Sequence, residues 1–385
     1  MLLNEDQLAI RDLARRFARQ RLAPSYQARE RAAVMDRDLV RELGDLGLLG
    51  VDLPEQFGGL GVPGVTAGVI AEELAYGDFN ISTVQVNVSL LGAILANSGS
   101  TDLVQEWLPR MISGEKLLGI CVTEPGAGSD AGNMKLRCER DGDNYILNGE
   151  KTSITFADCA DGFIVFARTG SLESGAAGIT AMIVPADSPG LSRTRFNDVG
   201  SRIIGRGSVF FDNVRVPVTN RLGEENQGFT HVMRGFDYSR ALIALECIGC
   251  AQASLDEAWE YTKTRAAFNA PIAQYQGVTF PLVEHESQLA AIRQLSYHAI
   301  ELRDAGQAHT AEAAMVKWMG PKVAFDTIHQ CLLTFGHYGW TLESPHQQRM
   351  RDVMGLEIGD GTAGIMKLIV ARERVGRAAV QYSKR

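Results

Sequence analysis

The 385-residue chain has no surplus of positive charge, few cysteines and no long apolar run. Lys and Arg number 38 against 46 Asp and Glu, a formal charge of −8. That balance argues against a nucleic-acid partner, whose phosphates need a basic face. No window approaches the roughly 20 consecutive apolar residues of a spanning helix, so membrane insertion is not expected. The opening residues Met1-Leu2-Leu3-Asn4-Glu5-Asp6 meet acid at once and lack a basic n-region, so no signal peptide is expected. The six cysteines are scattered. Cys247 and Cys250 form a C-x-x-C pair, but inside an apolar helical pattern and without a second pair. We read them as small buried residues rather than redox or zinc ligands. Together these absences suggest a reducing, cytoplasmic setting. No internal repeat and no low-complexity tract is visible. What remains is an ordinary globular composition, 45% hydrophobic and 22% charged, long enough for two or three structural units.

Three blocks follow one another. Residues 1–117 carry helical periodicity. Asn4 is placed to cap a helix through Leu8, Ile10, Leu13, Ala14 and Phe17, and further patterns cover 36–48, 65–76 and 82–97. The stretch Pro54 to Gly61 interrupts them, as Pro and Gly clusters do. Residues 118–228 change character. Short apolar runs at 143–151, 162–167, 180–185 and 208–217 are bounded by turn residues, including an Asn148-Gly149 turn signal. Strands this short, with no helices between them, predict an antiparallel barrel or sandwich. Residues 229–385 return to helix, with long patterns over 229–265, 276–305, 311–338 and 362–383. Four long helices with short connections predict a four-helix bundle. The fold class is therefore α+β, with helical, β and helical-bundle domains in that order.

Two local features suggest chemistry. Cys121-Val122-Thr123-Glu124-Pro125-Gly126-Ala127-Gly128-Ser129-Asp130 is rich in small residues. Gly126 and Gly128 let backbone amides approach a ring or phosphate closely, although a plain turn between blocks would look the same. Near the C-terminus, Ile358-Gly359-Asp360-Gly361-Thr362 places an acid on a glycine-flanked turn before an apolar helix. Asp360 could reach into a cleft as a base, or merely cap the helix.

The chain resembles the acyl-CoA dehydrogenases. The segment 121–130 matches the family's first signature, and Arg265-Ala266-Ala267-Phe268 leading to Gln276 resembles the second. Pro54 to Gly61 matches a loop of the N-terminal domain. Phe236-Asp237-Tyr238-Ser239-Arg240 matches the start of the helix that meets coenzyme A, and the Asp360 turn matches the catalytic-base segment. The resemblance implies FAD as cofactor, contacted by Val122, Thr123, Gly128, Ser129, Ser153, Thr155 and Thr362. From a neighbouring subunit it adds Arg265, Phe268 and Gln276. It implies substrate contacts from Ser129, Asp237, Tyr238, Arg240, Gly359 and Gly361, and Asp360 as base. A solvated charge at Arg265 and an exposed ion pair between Asp237 and Arg240 are the plainer readings. No metal is implied. An acyl-CoA thioester, an electron-transfer flavoprotein as acceptor and a homotetramer are the implied partners.

The departures from the family pattern bear on the substrate. The base is aspartate rather than glutamate, about 1.5 Å shorter in reach. Gly359 replaces an aromatic residue, Ser153 a tryptophan beside the flavin, and Gly364 a longer polar residue. Three large-to-small changes suit a group bulky at the α-carbon, and relatives acting on cyclic acyl-CoAs use aspartate. Cyclohexane-1-carboxyl-CoA, oxidised to the 1-ene thioester, is the leading expectation. A short branched acyl-CoA, an enoyl-CoA reductase direction, and a monooxygenase or nitroalkane-type oxidase on the same fold are the rivals. The family's other base location, just before the arginine, holds Ser239, which cannot act unaided. Glu246 on the same helix is read as structural or solvated. His337 and Leu333 replace a usual glycine and glutamine where the neighbouring subunit would meet FAD.

Overall fold

A computed structural model describes residues 3–376, with residues 231–234 described by their backbone alone. The first block is built from α1 (Glu5–Phe17), α2 (Tyr26–Ala32), α3 (Arg37–Asp45), α4 (Gly64–Gly77), α5 (Phe79–Ser98) and α6 (Thr101–Ile112). Asn4 starts α1 as expected. Its Oδ1 accepts from Gln7 N at 2.8 Å, and Gln7 Oε1 accepts from Asn4 N at 3.1 Å, a reciprocal capping box. Asp36 caps α3 by accepting from Asp38 N and Leu39 N, and Asp78 caps α5 by accepting from Asn80 N and Ile81 N. The expected patterns at 65–76 and 82–97 form α4 and α5. The short α2, and α6 with Pro109 near its end, were not foreseen.

Helices α4 and α5 are buried on nearly every side, so they run through the centre rather than along the surface. Helix α5 is 20 residues long with mean hydropathy 1.5 over its best window, enough by length and composition to cross a bilayer. Within this fold 83% of that window is buried inside the protein. Its polar residues Asn80, Ser82, Thr83, Gln85, Asn87 and Ser89 broke the apolar run in the sequence.

The second block holds β1 (Leu118–Cys121), β2 (Arg137–Asp141), β3 (Asn144–Ile154), β4 (Gly162–Arg168), β5 (Ile179–Pro185), β6 (Leu191–Arg195), β7 (Gly207–Pro217) and β8 (Arg221–Leu222). They form one sheet in the order β6-β7-β3-β2-β4-β5-β8, with β1 beside β4. Pairing is antiparallel except that β1, and one residue pair of β2, run parallel to β4. The purely antiparallel expectation is corrected there, because β1 enters from α6 and not from a hairpin. Register slips interrupt β3 against β7 between Leu147 and Gly149 and between Lys151 and Ile154. Such bulges bend the strand and turn its side chains.

The third block opens with α7 (Gly228–Thr264), 37 residues and about 55 Å long. A small hairpin follows, β9 (Ala266–Ala267) and β10 (Ala270–Pro271). Then come α8 (Gln276–Asp304), α9 (Thr310–Thr334), α10 (His346–Met354) and α11 (Ala363–Val375). The four long helices expected are α7, α8, α9 and α11. The short α10 was not foreseen. Helix α11 is followed to Val375; the remainder of the pattern expected to 383 lies outside the described residues. All six cysteines are unpaired, and Cys247 and Cys250 are buried on α7.

The three blocks meet at Asp352, 1% exposed at the end of α10. Its Oδ2 accepts from Tyr26 Oη at 2.5 Å and Asn80 Nδ2 at 3.0 Å, and its Oδ1 from Ser201 N at 2.5 Å. Beside it, Arg351 pairs with Glu30 and donates to Val199 O at 2.6 Å. A Cβ on Gly200 would lie 2.4 Å from Arg351 O, so only glycine lets these two backbones touch. Asp352→Ala leaves three buried donors without an acceptor. We expect a loss of about 3 kcal/mol, read as a lower denaturant midpoint.

Candidate active site

The acid turn lies between α10 and α11. The cap of α11 is Thr362, whose Oγ1 accepts from Ile365 N at 3.4 Å. Asp360 is therefore not the cap, and its carboxyl has no hydrogen-bond or ion-pair partner among the described residues. The backbone turns through two left-handed residues, Asp360 at φ +54° and Gly361 at φ +102°. A Cβ on Gly361 would also meet Met366 Cε at 2.4 Å. Although Asp360 keeps some exposed surface, protein crowds its carboxyl. Burial pushes its pKa above the ordinary 3.8, while Lys317, Arg240 and Arg206 pull it down.

Those cations come from three elements. Arg240 of α7 is 5% exposed, its Nη1 2.7 Å from Asp237 Oδ1. Asp237 Oδ2 in turn accepts from Thr310 Oγ1 at 2.7 Å, which ties α7 to the start of α9. The exposed pair considered as the plainer reading is thus a buried one. Arg240 Nε has no partner among the described residues. Lys317 of α9 is 1% exposed and donates to Leu356 O at 2.6 Å and Gly361 O at 3.2 Å. Arg206 approaches from the β block and bonds Asp198 at 3.2 Å. The sequence reading singled out neither Lys317 nor Arg206. Their signal was one charged residue in a helical apolar pattern and one in a loop.

Tyr238 does not join this group. Its Oη donates to Asp52 Oδ2 at 2.7 Å, and the Arg303 guanidinium lies 3.7 Å from its ring centroid. It fastens α7 to the N-terminal block. Ser239 is fully buried and donates back to Phe236 O at 3.3 Å, so no base stands at that location.

Glu246 is the larger surprise. It is 1% exposed rather than solvated, because α7 is buried all round at this level. Thr83 Oγ1 lies 2.5 Å from Glu246 Oε1 and 3.2 Å from Phe79 O. A hydroxyl has one proton to give. The shorter contact takes that proton, so Thr83 donates to Glu246 Oε1. Burial pushes the Glu246 pKa up to about 8, opposed by the Thr83 bond and reinforced by Asp360 and Asp352.

On the β side, Thr152 N donates to Thr123 O at 2.9 Å and sets β3 beside the glycine-rich loop. Lys151, fully buried, donates to Val122 O at 2.9 Å and to Glu124 Oε1 at 2.8 Å. Glu124 also accepts from Lys135 N and Leu136 N at 2.6 and 2.8 Å, so both ends of the loop are pinned. This Lys–Glu pair escaped sequence reading because Glu124 lies in the loop after β1 and Lys151 on β3, far apart in the chain. Gly126 and Gly128 face open space, and Ser129 is exposed. Ser153 is exposed on the second bulge at φ +60°, with Thr155 half-buried beyond it. An open, backbone-lined face bordered by hydroxyls fits a flat heteroaromatic ring.

Arg265, Phe268 and Gln276 lie elsewhere, on and beside the exposed β9–β10 hairpin. Arg240 and Arg265 stand roughly 37 Å apart along α7. Phe268 is 92% exposed. Leu333 and His337 are exposed at the end of α9 and just after it. This chain alone does not bring these residues to Asp360.

The raised Glu246 pKa has a measurable consequence. Its folded pKa, near 8, exceeds its ordinary 4.5. The folded state therefore holds a proton that the unfolded chain releases, and stability falls as pH rises from about 4.5 to about 8. Glu246→Gln removes this penalty. In thermal scans it should stabilise the protein more at pH 8.5 than at pH 5, by on the order of 3 kcal/mol.

Family models match three consecutive regions: the acyl-CoA dehydrogenase N-terminal domain over residues 4–115, the middle domain over 119–214 and the C-terminal domain over 226–374. A 3-(aryl)acrylate reductase of Clostridium sporogenes (strain ATCC 15579) is 35% identical over 96% of this chain and 99% of its own length. A cyclohexane-1-carbonyl-CoA dehydrogenase of Geobacter metallireducens is 31% identical over 98% and 99%. The butyryl-CoA dehydrogenase structure from Megasphaera elsdenii superposes with a TM-score of 0.94 at 30% identity, covering 97% of this chain and 99% of that one. A glutaryl-CoA dehydrogenase from Mycobacterium smegmatis, solved in complex with FADH2, gives 0.92 at 27% identity, covering 98% and 97%. An uncommitted acid beside a buried arginine, an open glycine-rich loop and these full-length matches agree: the chain belongs to the acyl-CoA dehydrogenase family of oxidoreductases.

Proposed function

We propose that the protein catalyses FAD-dependent α,β-dehydrogenation of an acyl-CoA thioester, with Asp360 as the base. The preferred acyl group is alicyclic, cyclohexane-1-carboxyl-CoA giving the cyclohex-1-ene-1-carboxyl thioester. The observation that carries the reading is the uncommitted Asp360 carboxyl, crowded by protein and faced by Lys317, Arg240 and Arg206.

FAD, when bound, supplies the acceptor for the hydride leaving the β-carbon. Val122, Thr123, Gly128, Ser129, Ser153, Thr155 and Thr362 would hold it from one subunit, and Arg265, Phe268 and Gln276 from another. Asp360 removes the α-proton. Desolvation strengthens it as a base, while the nearby cations oppose that rise and favour its charged form. Its own backbone N–H is the donor assigned to the thioester oxygen as negative charge develops there. Arg240 and Asp237 hold the coenzyme A portion, and Ser129, Gly359 and Gly361 line the thioester end.

Space around the base supports a ring. A side chain on Gly359 would start 3.6 Å from Gly355 O and 3.7 Å from Leu356 Cδ2, ordinary contact distances. The volume that a larger residue would fill is thus left to the acyl group. Gly364 is likewise exposed, with only its neighbour's Thr362 Oγ1 within 4 Å, at 3.9 Å. A relative named for cyclohexane-1-carbonyl-CoA supports the same choice. The expected setting is the cytoplasm, with an electron-transfer flavoprotein taking the electrons onward. Phe268, Trp340, Leu342 and Leu333, between 55% and 92% exposed, favour a homotetramer that covers them and completes the cofactor site.

Asp360→Asn should retain FAD yet slow anaerobic flavin bleaching by at least about a thousandfold, measured by stopped-flow absorbance. Bleaching at a near wild-type rate would place the base elsewhere. In a panel with an artificial electron acceptor, cyclohexane-1-carboxyl-CoA should turn over faster than straight C4–C8 thioesters. The reverse order would sink the alicyclic assignment while leaving the base intact.

A further inference from the structure

Lys317 is an unusual lysine. Its side chain is almost wholly buried in α9, yet no carboxylate lies within ion-pair distance of it among the described residues. Its ammonium is spent on two backbone carbonyls, Leu356 O at 2.6 Å and Gly361 O at 3.2 Å. Those carbonyls stand on either side of Asp360 in the chain. Between them the backbone leaves a short 3₁₀ turn, Gly355–Glu357, and passes through the left-handed pair Asp360 and Gly361. Within the turn, Ile358 N and Gly359 N both donate to Gly355 O, at 3.3 and 3.0 Å. Lys317 is thus the bond from outside the turn that fixes its far end relative to its start.

We propose that Lys317 is a positioning residue for the base: its ammonium clamps the Leu356–Gly361 turn closed, aims the Asp360 carboxyl and holds a positive charge beside the segment that carries it. The proposal rests on the reading of Asp360 as base. A lysine suits both parts of the role. It offers three donors and no acceptor, so it can hold two carbonyls and still present charge.

The charges around this point come from every packed element. Helix α7 contributes Arg240, itself paired with Asp237, together with Glu246 and Cys247. The turn contributes Glu357, the β block Arg206, α9 Lys317 and α11 Arg372, which acts on Arg240. Burial lowers the Lys317 pKa, and the Asp360 carboxylate is the largest influence restoring it. The two groups therefore stabilise each other's charged form.

The test uses FAD-loaded enzyme and the reductive half-reaction across pH. With Lys317→Met, of similar length but neutral, loss of the cation raises the Asp360 pKa. The acid limb of the bleaching rate should therefore move to higher pH by about one unit. The rate on the plateau should fall about tenfold or more through loss of aim, with KM for the thioester changed less than about threefold. Lys317→Arg, which keeps the charge, should return the acid limb to within a few tenths of a unit of wild type. A slower Lys317→Met enzyme with an unmoved acid limb would reduce Lys317 to a structural residue and overturn the proposal. Wild-type rates would do the same. Should Lys317→Met yield no soluble holoenzyme, Lys317→Arg decides alone. The larger, rigid fork places its donors differently from a single ammonium in this buried site, so bleaching should slow at least about threefold with the limb in place; an unchanged rate overturns the clamp. Failure of the base assignment is separate, since it is read from Asp360→Asn.

Discussion

Asp352 accepts hydrogen bonds from three parts of the chain that are far apart in sequence: Tyr26, Asn80 and the backbone of Ser201. The base turn begins only a few residues later, so its starting point is set by this junction. The carboxyl is buried so completely that its pKa rises to about 7, burial outweighing the Tyr26 and Ser201 bonds. Helical domain, sheet and bundle are thereby indexed to one another at one side chain. Arg351 reinforces the index with Glu30 and Val199 O. The group of α7, α9, β-block and C-terminal side chains around Asp360 needs such a common origin, because no single element carries it.

The electrostatics of the site follow a division of labour. Cations from α7, α9 and the β block converge on Asp360, while Glu246 and Asp352, deeper in the helical interior, are pushed toward the protonated form. Burial acts on all three acids. What separates them is the company each keeps: Asp360 has nearby cations, Glu246 has Thr83 and two other acids, and Asp352 has three donors and Glu30. Burial thus raises all three acids, and only at Asp360 do cations from three elements oppose the rise.

Much of the fold was legible because it is written in local signals. Asn4 and Asp36 mark helix starts, the apolar runs mark β4 and β5, and the uninterrupted pattern from 229 onward marks α7. The short α10 and the proline-bearing α6 lacked such signals. At the site, Asp360 was visible because glycine flanks it. Lys317, Glu246 and the Lys151–Glu124 pair were not, since each looks like one polar residue on an apolar face. Their meaning depends on what a distant segment places opposite them. Tyr238 shows the converse: a position matched by motif was engaged by Asp52, 186 residues away.

The left-handed backbone at position 360 carries one more implication. Residues with a Cβ enter that region at a cost, and aspartate and asparagine are the non-glycine residues most at ease there. Glutamate lacks the short polar arm that makes the conformation tolerable. The turn itself therefore favours the shorter acid, before any substrate is considered. The length of the base and the twist of its turn are one inherited choice. Restoring a glutamate at 360 would then ask the chain to change its path between Lys317's two carbonyls, rather than merely to lengthen a side chain.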